Sequence, residues 1–366
     1  MNIRKALSHE IDPEKYINLF SAAQKDGRGN IIPETIILPT LAMECKKLDE
    51  NVFKELSEKK NRTKEDVESM SLVDRFMEYL DCEIENCKDA LIHRFDYICS
   101  QLPESATFMW ENKIMAGYIP EEGIRSAMKH GTLAIGQLGL AETLIILIGK
   151  DHTTDEGMEL AKRIENLYAK RCKEYKNTLK LNFGVYYTPA ENLSYTAMTG
   201  FKNRFGTVSG VTTYPEGNDK GKNKTFFTNS MHVPVYHKVS IFDKIDIESQ
   251  LTGYSSAGCI TYVEFQDTAT NNERAAEQNV VYAMEHNIPY HSINVFSDTC
   301  NSCGYQGVIK EGKACPICGE KEKIDRLRKV TGYLTSDYRK SFNLGKQDEA
   351  DHRENHTDTL CNLKVL

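Results

Sequence analysis

The sequence predicts an α/β protein with a parallel sheet and helices packed outside it. Strand-like runs at 183–187, 260–265 and 290–296 alternate with a helical segment around 272–285, and strands separated by helices favour parallel pairing. The glycine-rich segment 131–140 lacks the spacing of a dinucleotide-binding fingerprint. We therefore expect its glycines to allow the close backbone packing of a barrel.

The N-terminal part of the chain is predicted to be mainly helical. Residues 1–26 are polar and show no pattern, and a turn at 26–30 precedes a short buried strand or loop at 35–39. Pro39 is expected to end this apolar stretch, because proline cannot donate a hydrogen bond to a sheet. A long helical region then spans 41–100.

Two helix starts are predicted from capping residues. Thr63 with Asp66 has the spacing of a capping box, and Thr153 with Glu156 repeats that spacing before a second helix. The apolar residues after Thr63 recur at intervals of three, four or seven, which is typical of one buried helix face. They are Val67, Met70, Val73, Phe76, Leu80, Ile84, Leu91, Phe95 and Ile98.

Composition excludes some classes of function. The chain has 366 residues, of which 40% are hydrophobic and 27% charged, as is ordinary for globular domains. Its net charge of −7 gives no basic surface for a nucleic-acid polymer, although a nucleotide could bind in a local positive pocket. The sequence has no apolar run of about 18 residues and no apolar signal-peptide core. These features predict a cytoplasmic protein without a membrane span.

Four of the eleven cysteines form a predicted metal site. Two CxxC pairs are separated by eleven residues, a spacing that lets four thiolates bind one ion in tetrahedral geometry. The ligands are Cys300, Cys303, Cys315 and Cys318. Gly304 and Gly319 are expected to take positive φ after each pair, and Lys310 and Lys313 to offset the thiolate charge. Structural zinc is expected, with an iron–sulfur cluster or two disulfides as the alternatives.

The segment after the cysteines carries two further motifs. Arg328 and Val330-Thr331-Gly332-Tyr333-Leu334 precede Phe342-Asn343-x-Gly345-Lys346-x-x-Glu349, and Arg353 and His356 follow. This order resembles the end of the anaerobic, or class III, ribonucleotide reductases, which are glycyl radical enzymes. The resemblance implies that Gly332 stores an unpaired electron and that the zinc supports its segment. Taken alone, Gly332 would instead be an ordinary turn glycine.

Upstream segments extend the resemblance over most of the chain. They are 27–30 with 37–42, 188–193 with 204–205, and 228–234. The resemblance implies catalytic roles for Glu191 and Asn229. It also implies that a ribose and its phosphates are bound by Asn192, Ser230, His232 and Arg204. Without it, 189–191 would be a helix start, Asn229 and Ser230 turn residues, and His232 a core histidine.

The resemblance also implies radical chemistry on a ribonucleoside triphosphate. A separate radical S-adenosylmethionine activase would remove a hydrogen from Gly332, and the glycyl radical would convert a cysteine to a thiyl radical. The thiyl would take the 3′-hydrogen of the substrate. Loss of the 2′-hydroxyl as water, with reduction by formate or a thiol system, would give the deoxyribonucleotide. A homodimer is expected, as is cleavage of the chain by oxygen at Gly332.

The implied fold is the C-terminal part of a ten-stranded α/β barrel of the glycyl radical enzyme type. A small four-cysteine zinc ribbon and a C-terminal glycyl radical segment complete it. The expected domains are a partial barrel at 1–296, the zinc ribbon at 297–322, and the radical segment with its tail at 323–366.

One part of the family pattern has no counterpart in the sequence. The family carries its thiyl cysteine shortly before the segment matched at 27–30, whereas residues 1–29 contain no cysteine and the first is Cys45. An N-terminal reductase fragment could supply it as a partner chain, the chain could be an inactive truncated product, or a remote residue such as Cys259 could serve. A zinc-ribbon interaction protein and a spare glycyl radical domain are the alternative functions.

Overall fold

The fold is given by a computed structural model of the chain. It describes residues 29–112, 115, 117–215, 221–265, 272–295, 297–309, 312–354 and 356. The polar segment 1–26, Gly27, Arg28 and Lys310 lie outside the described residues.

Strands and helices alternate along most of the chain. The strands are β1 (Asn30–Ile37), β2 (Thr132–Leu138), β3 (Asn182–Tyr186), β4 (Thr261–Phe265), β5 (His291–Val295), β6 (Ser297–Cys300), β7 (Gln306–Gly307), β8 (Ile324–Val330) and β9 (Tyr333–Thr335). The helices are α1 (Leu38–Lys47), α2 (Glu50–Lys60), α3 (Lys64–Ser69), α4 (Leu72–Cys99), α5 (Thr107–Glu111), α6 (Arg125–Met128), α7 (Leu140–Ile148), α8 (Asp155–Leu179), α9 (Glu191–Phe205), α10 (Ile241–Thr252), α11 (Glu273–Glu285), α12 (Tyr338–Ser341) and α13 (Leu344–Asp351). Within the described ranges, no helix is both long and apolar enough to cross a bilayer.

The strands β1 to β5 are paired in parallel, as the alternation of strands and helices predicts. β1, β2 and β3 form one sheet in that order. β4 and β5 form a second parallel pair, with Thr261 opposite His291. A parallel bridge between Tyr186 and Gly258 joins the end of β3 to the chain that enters β4. The α/β prediction is confirmed, while closure into a ten-stranded barrel stays a prediction.

The central strand β2 explains why the sheet needs helices on it. All seven of its residues are buried, as expected for a parallel strand covered on both faces. Fully buried side chains from α4 and α8 contribute to the same core, among them Phe76, Leu80, Ile164 and Tyr168. Burial of each such apolar side chain contributes about 1.5–3 kcal/mol, so the sheet depends on the apolar faces of these two helices.

The N-terminal elements are present with ends that differ from those predicted. β1 stops at Ile37, and Pro39 lies in the first turn of α1 instead of ending a strand. Proline fits this position because the first turn of a helix leaves its N–H groups without partners. The predicted helical region 41–100 is divided into separate helices, since Leu48 and Asn61 take left-handed conformations that end α1 and α2.

The two predicted capping pairs have different outcomes. Thr63 and Asp66 form the capping box, in which each side chain accepts from the other residue's backbone N–H. The predicted cap of α8 at Thr153 is wrong by one residue. Thr154 provides that cap, while Thr153 hydrogen-bonds the Asp151 side chain.

The predicted elements of the second half lie within one residue of the observed ones. The runs at 183–187, 260–265 and 290–296 correspond to β3, β4 and β5, and the predicted helix corresponds to α11. The Asn272 side chain caps α11 by accepting from Ala275 N at 3.0 Å. The helix α10 was not predicted, although Ser240 and Asp243 form a detectable cap at its start.

An antiparallel sheet follows β5, with the strand order β7-β6-β8-β9. β8 pairs with β6 on one side and with β9 on the other. This sheet crosses the domain boundary predicted at 322/323, so the cysteine ribbon and the C-terminal segment share one set of backbone hydrogen bonds. The other predicted boundaries stay predictions.

Gly136 gives a test of the close packing predicted for 131–140. A Cβ at Gly136 would lie 2.1 Å from Thr188 Oγ1 and 2.9 Å from Tyr186 O, so neighbouring atoms would have to move in a tightly packed interior. We expect Gly136→Ala to lower the free energy of unfolding by about 1–3 kcal/mol, as measured by urea denaturation.

Gly200→Ala is the matched control for this variant. A Cβ at Gly200 in α9 would meet nothing within 4 Å outside its own helix backbone. Alanine is favoured over glycine inside a helix by about 0.5–1 kcal/mol, so this variant should be at least as stable as the native chain. A Gly136→Ala chain as stable as the native one would contradict the close packing.

Candidate functional site

The four cysteines predicted as metal ligands converge. Their Sγ atoms all lie within 4.8 Å of one another, with Cys300 and Cys318 3.5 Å apart and Cys303 and Cys315 3.6 Å apart. Four sulfurs bound to one zinc ion at about 2.3 Å in a tetrahedron would be about 3.8 Å apart. The donor set therefore fits a tetrahedral metal ion, and the cysteines are not joined as disulfides.

Both cysteine pairs have the turn geometry that the sequence predicts. Gly304 and Gly319 take positive φ, at 76° and 75°. Each glycine N–H donates to the carbonyl of the first cysteine of its pair, at 2.8 and 3.0 Å. Burial raises the pKa of the Cys315 thiol, but hydrogen bonds from the backbone amides of Cys318 and Ile317 and from two neighbouring cysteine thiols together lower it to about 7. At Cys315 this environment favours the thiolate, which is the form that binds a metal.

Strand β8 connects the cysteine ribbon to the hairpin that follows it. Cys300 of β6 lies opposite Ile324 of β8, and Arg328 Nη1 of β8 donates to Asp298 Oδ1 of β6 at 2.6 Å. Asp298 is fully buried and also accepts from Ile309 N at 2.8 Å. Breaking a buried pair of this kind costs about 3–5 kcal/mol, so the ribbon and β8 keep one position relative to each other.

Gly332 lies at the tip of the hairpin formed by β8 and β9. Its neighbour Thr331 has the left-handed backbone of the turn, at φ +52°, whereas the φ of Gly332 lies outside the left-handed range. A Cβ built on Gly332 would lie 3.2 Å from Glu191 Oε1, and this is the one atom within 4 Å of it among the described residues, chain neighbours apart. Gly332 is exposed. The turn therefore does not require glycine for its conformation, and Gly332 and Glu191 are neighbours.

Three residues in the predicted site have a left-handed backbone without being glycine. They are Glu191 at φ +41°, Ser230 at φ +44° and Thr331 at φ +52°. The other described residues of this kind end or follow helices, and they are Leu48, Asn61, Lys180 and Asn287. Such strain costs about 1–3 kcal/mol per residue and is common at active sites. All three residues belong to the segments that the resemblance assigns to the site.

The Asn229 side chain holds the start of α9. Asn229 Oδ1 accepts from Ala190 N at 2.7 Å, so it satisfies a backbone donor of the turn that carries Glu191. Glu142 of α7 anchors the segment around Asn229. Its carboxylate accepts from Thr228 N at 3.0 Å and from Lys224 Nζ at 2.7 Å. Glu142 and Lys224 are fully buried. The hydrogen bond from Ala190 N to Asn229 Oδ1 thus joins the segments of the two residues predicted to be catalytic.

Ser230 and His232 both have partners within the protein. Ser230 Oγ donates to Gln137 O at 3.3 Å, and His232 Nδ1 lies 3.3 Å from Glu248 Oε1. Burial raises the pKa of Glu248, but Lys244 and His232 lower it more, so the pKa is held below its usual range. Substrate binding by Ser230 and His232 stays a prediction.

Asn192 contacts the C-terminal motif. Its Oδ1 accepts from Asn343 Nδ2 at 3.0 Å and from Lys346 Nζ at 2.6 Å. The helix α13 approaches α9 closely because Gly345 has no side chain, since a Cβ there would lie 2.7 Å from Tyr195 Cβ. Two motifs that the resemblance identifies separately are therefore in direct contact, and substrate binding by Asn192 stays a prediction.

A buried charged network lies behind the hairpin. Arg353 donates to Glu264 Oε1 at 2.9 Å, to Glu349 Oε1 at 2.6 Å and to Lys329 O of β8 at 2.9 Å. His356 Nδ1 accepts from Glu264 N at 3.0 Å. Burial lowers the pKa of His356 to about 3, so its ring is neutral at pH 7. This network fixes the C-terminal segment against both β4 and β8.

Two cavities lie near these segments. One has a volume of about 30 Å³ and is lined by Asn229, His232 and Thr331 among others, which is room for one or two water molecules. The other is an open recess of about 460 Å³ beside Pro189 and Cys259, a volume within the range of ligand sites. Burial raises the pKa of Cys259 to about 11, so it is a thiol at neutral pH. The position of the substrate stays a prediction.

Arg204 is not brought together with the other predicted site residues. It lies thirteen positions after Glu191 in α9, which is about 20 Å along the helix axis. Its guanidinium pairs with Glu44 and with Asp49 Oδ2, the latter at 2.8 Å. Its assignment to substrate binding has no structural contact in its favour and stays a prediction.

Some residues of the site carried no role in the sequence analysis. Lys346 and Thr331 lie inside the recognised motifs, so their positions were visible but their contacts were not. Glu264 carried a weaker signal, as an acidic residue within the apolar run Thr261–Phe265. Its burial beside Arg353 depends on a contact between residues 89 positions apart.

The fold and the four-cysteine ribbon together define a structural class of protein. The class is that of α/β proteins in which a parallel sheet is followed by a ribbon whose four cysteines could bind a metal ion. Residues 4–356 match the model of the anaerobic ribonucleoside-triphosphate reductase family, so the chain belongs to that family of oxidoreductases.

Curated relatives bear the same family name. The chain is 29% identical over 341 residues to the anaerobic ribonucleoside-triphosphate reductase of Salmonella typhimurium, covering 90% of this chain and 43% of the relative. For the enzyme of Enterobacteria phage T4 the identity is 29% over 339 residues, which cover 90% of this chain and 49% of the relative. For that of Escherichia coli it is 32% over 245 residues, covering 64% and 33%. The chain thus spans less than half the length of these relatives.

Solved structures of anaerobic ribonucleotide reductases share the fold. The Thermotoga maritima protein with glycerol in its active site has a TM-score of 0.62 at 17% identity, with 88% of this chain and 45% of that chain covered. A second anaerobic ribonucleotide reductase has a TM-score of 0.60 at 17% identity, with 90% and 45% covered. At this identity the likeness shows the fold alone.

The cysteine cluster can be tested by its metal content. We expect Cys315→Ser to reduce bound metal from about one ion per chain to almost none, because three thiolates leave the tetrahedral shell incomplete. The content is measured by plasma emission spectrometry. Cys172→Ser is the control and should keep its metal, since Cys172 is buried in α8 outside the cluster. A Cys315→Ser chain with native metal content would contradict the site.

The neutral His356 ring predicts a dependence of stability on pH. Its pKa in the folded chain is about 3, against 6.5 for an unperturbed histidine, so the unfolded chain binds the extra proton between these values. Stability is therefore present above pH 6.5 and is lost as the pH falls toward 3. Lys244 and Arg353 disfavour protonation of His356, while Glu248 favours it.

We expect His356→Gln to make this dependence shallower by up to about 1.4 kcal/mol per pH unit. Glutamine keeps an acceptor for Glu264 N but does not titrate. Urea midpoints measured from pH 7 to pH 4 check the prediction. Parallel curves for the variant and the native chain would show that His356 does not titrate as described.

Proposed function

We propose that the chain carries the radical glycine and the structural zinc of an anaerobic ribonucleoside-triphosphate reductase. In this proposal it takes part in the reduction of ribonucleoside triphosphates to deoxyribonucleoside triphosphates. Membership of the reductase family supports the reaction class. The observation that carries the radical role is the conformation of the hairpin tip, where Thr331 and not Gly332 supplies the left-handed residue. Since the backbone conformation of the turn does not require glycine at 332, a radical on its Cα is the proposed reason for glycine at this position.

The chemical requirement concerns the Cα of Gly332. Loss of one hydrogen leaves a planar radical that the flanking amide nitrogen and carbonyl delocalise, and a side chain would crowd that centre. The exposure of Gly332 leaves this carbon accessible to an activating protein. A radical S-adenosylmethionine activase is the partner that would remove the hydrogen.

The cysteine ribbon is proposed to hold zinc for a structural purpose. Four thiolates complete a tetrahedral shell and leave no open position for a substrate or water. Bound metal would fix the loops around Cys300, and the pairing of β6 with β8 would transmit that rigidity to the hairpin. In this proposal the metal stabilises the position of Gly332 and does not take part in the reaction.

The radical passes to substrate through a cysteine in the proposed reaction. Gly332 takes a hydrogen atom from the thiol, and the resulting thiyl takes the 3′-hydrogen of the ribonucleotide. The 2′-hydroxyl then takes up a proton and leaves as water, and formate or a thiol system supplies two electrons while C2′ gains a proton. The thiol finally returns its hydrogen atom to C3′, which regenerates the thiyl radical. Glu191, beside Gly332, is the group proposed to hold or move a proton, and Asn229 orients the turn that carries Glu191.

The thiyl cysteine is proposed to come from outside the described residues. Within them, no sulfur lies within 4 Å of a Cβ built on Gly332. We propose that a reductase segment carrying this cysteine covers the exposed hairpin tip. A homodimer and a cytoplasmic, oxygen-poor location are further parts of this proposal.

Electron paramagnetic resonance tests the radical role. Anaerobic incubation of the native chain with the activase should give a doublet signal, and Gly332→Ala should abolish it. The structure makes this variant informative, because φ at Gly332 suits any residue and an added Cβ would meet only Glu191 Oε1, at 3.2 Å. The variant should therefore fold and keep its metal content.

Gly200→Ala serves as the control and should keep the doublet, since Gly200 lies inside α9 away from the hairpin. Brief exposure of the activated native chain to air should cleave it at Gly332, as seen by mass spectrometry. No doublet under conditions that activate a longer relative would count against the proposal and favour a zinc-ribbon interaction protein.

A further inference from the structure

Lys346 is a buried cation whose environment differs from that of the other buried lysines. Lys224 and Lys244, also buried, are each paired with a buried glutamate. Lys346 is 4% exposed, and among the described residues no carboxylate lies within ion-pair distance of it. A buried ammonium without a direct counter-ion is costly, so its retention requires compensating contacts.

Two close contacts provide this compensation, and a more distant one comes from the Phe342 ring, whose centroid lies 5.9 Å from Nζ. Lys346 Nζ donates to Asn192 Oδ1 at 2.6 Å, and it lies 3.6 Å from the ring centroid of Tyr333. A desolvated cation over an aromatic face is a stabilising arrangement. Burial lowers the pKa of Lys346, and the charges of Glu191 and Glu349 partly offset that effect.

The two partners of Lys346 adjoin the two residues at the centre of the site. Asn192 follows Glu191 in α9, and Tyr333 follows Gly332 in the hairpin. The ammonium therefore connects the segment that carries the carboxylate to the segment that carries the bare Cα. No backbone pairing joins these two segments in the described part of the chain.

The helix α13 is built to present this ammonium. Asn343 Oδ1 caps the helix by accepting from Lys346 N at 2.9 Å, and Asn343 Nδ2 donates to Asn192 Oδ1 at 3.0 Å. Gly345 permits the close approach of α13 to Tyr195. The motif 342–346 thus fixes the position from which the lysine side chain extends.

We propose that Lys346 is a positioning residue for Gly332. Its ammonium holds Tyr333 and Asn192 together, and this keeps the hairpin tip beside Glu191. The inference rests on the proposed radical function for its consequence, but the positioning itself is a property of the unactivated chain. Loss of the contact should release the tip without unfolding the sheet, because β8 stays paired with β6.

Hydrogen exchange on the unactivated chain tests the positioning directly. Lys346→Met removes the charge and the hydrogen bond while keeping a similar volume. We expect exchange in a peptide covering 330–335 to rise about fivefold or more, with metal content unchanged. The melting temperature should be unchanged or higher, because replacing a buried charge by an apolar side chain is often neutral or stabilising.

Matched variants separate positioning from general packing. Lys340→Met is the control, since Lys340 lies in the same tail but its side chain is 86% exposed, and it should leave exchange unchanged. Tyr333→Phe keeps the aromatic face and should behave as native. Tyr333→Leu should reproduce Lys346→Met, and combining these two changes should add little, because both remove the same contact.

The radical provides a second measurement. After activation, Lys346→Met should give at least about fivefold less doublet signal or a correspondingly shorter lifetime, whereas Lys340→Met should match the native chain. Native exchange at 330–335 in Lys346→Met would overturn the proposal. A lower melting temperature together with a loss of bound metal in Lys346→Met would also overturn it, because Lys346 would then serve the packing of the whole fold. Increased exchange without any doublet in the native chain would instead refute the radical function and leave the positioning intact.

Discussion

The pairing of β8 with β6 is the interaction on which the candidate site depends. On one side it holds the cysteine cluster, because β6 ends in Cys300. On the other it holds the hairpin tip, because β8 leads directly to Gly332. The buried contact of Arg328 with Asp298 adds a side-chain link to the backbone pairing. The four-cysteine cluster and the exposed Gly332 are therefore held by the same antiparallel sheet.

Side chains from three other segments of the chain connect the rest of the candidate site to the hairpin. Asn229 holds the turn before Glu191, Lys346 contacts the residues after Glu191 and after Gly332, and Arg353 joins the tail to the backbone of β8. These contacts come from separate segments of the chain. Their convergence explains why left-handed, non-glycine residues persist at three places in the predicted site.

Much of this arrangement could be predicted from the sequence, and the reasons are local. The convergence of the four cysteines follows from their spacing, because a CxxC turn determines where its two sulfurs point. The strands follow from apolar runs, and α11 follows from the helical segment predicted around 272–285. The resemblance to the reductases placed Glu191 and Gly332 in one site, and they are neighbours in the fold.

The rest depends on contacts that the sequence does not encode locally. Arg204 belongs to a matched segment, but the length of α9 separates it from Glu191, and a sequence match alone does not reveal that separation. Pro39 was read as a terminator, whereas the first turn of α1 accepts it. Lys346 belongs to a motif recognised in the sequence, but only the packing of α13 on α9 shows what its side chain contacts.

The conformation of Thr331 bears on what happens when the adjacent carbon changes its bonding. In the proposed chemistry, the Cα of Gly332 passes from four bonds to a flat, three-bonded state. The reversal of chain direction is set by the threonine before it, and the strands on either side are paired independently of residue 332. In the proposed chemistry the radical can therefore form and disappear at Gly332 without a change in the backbone conformation of the loop, so that the same site can be used repeatedly.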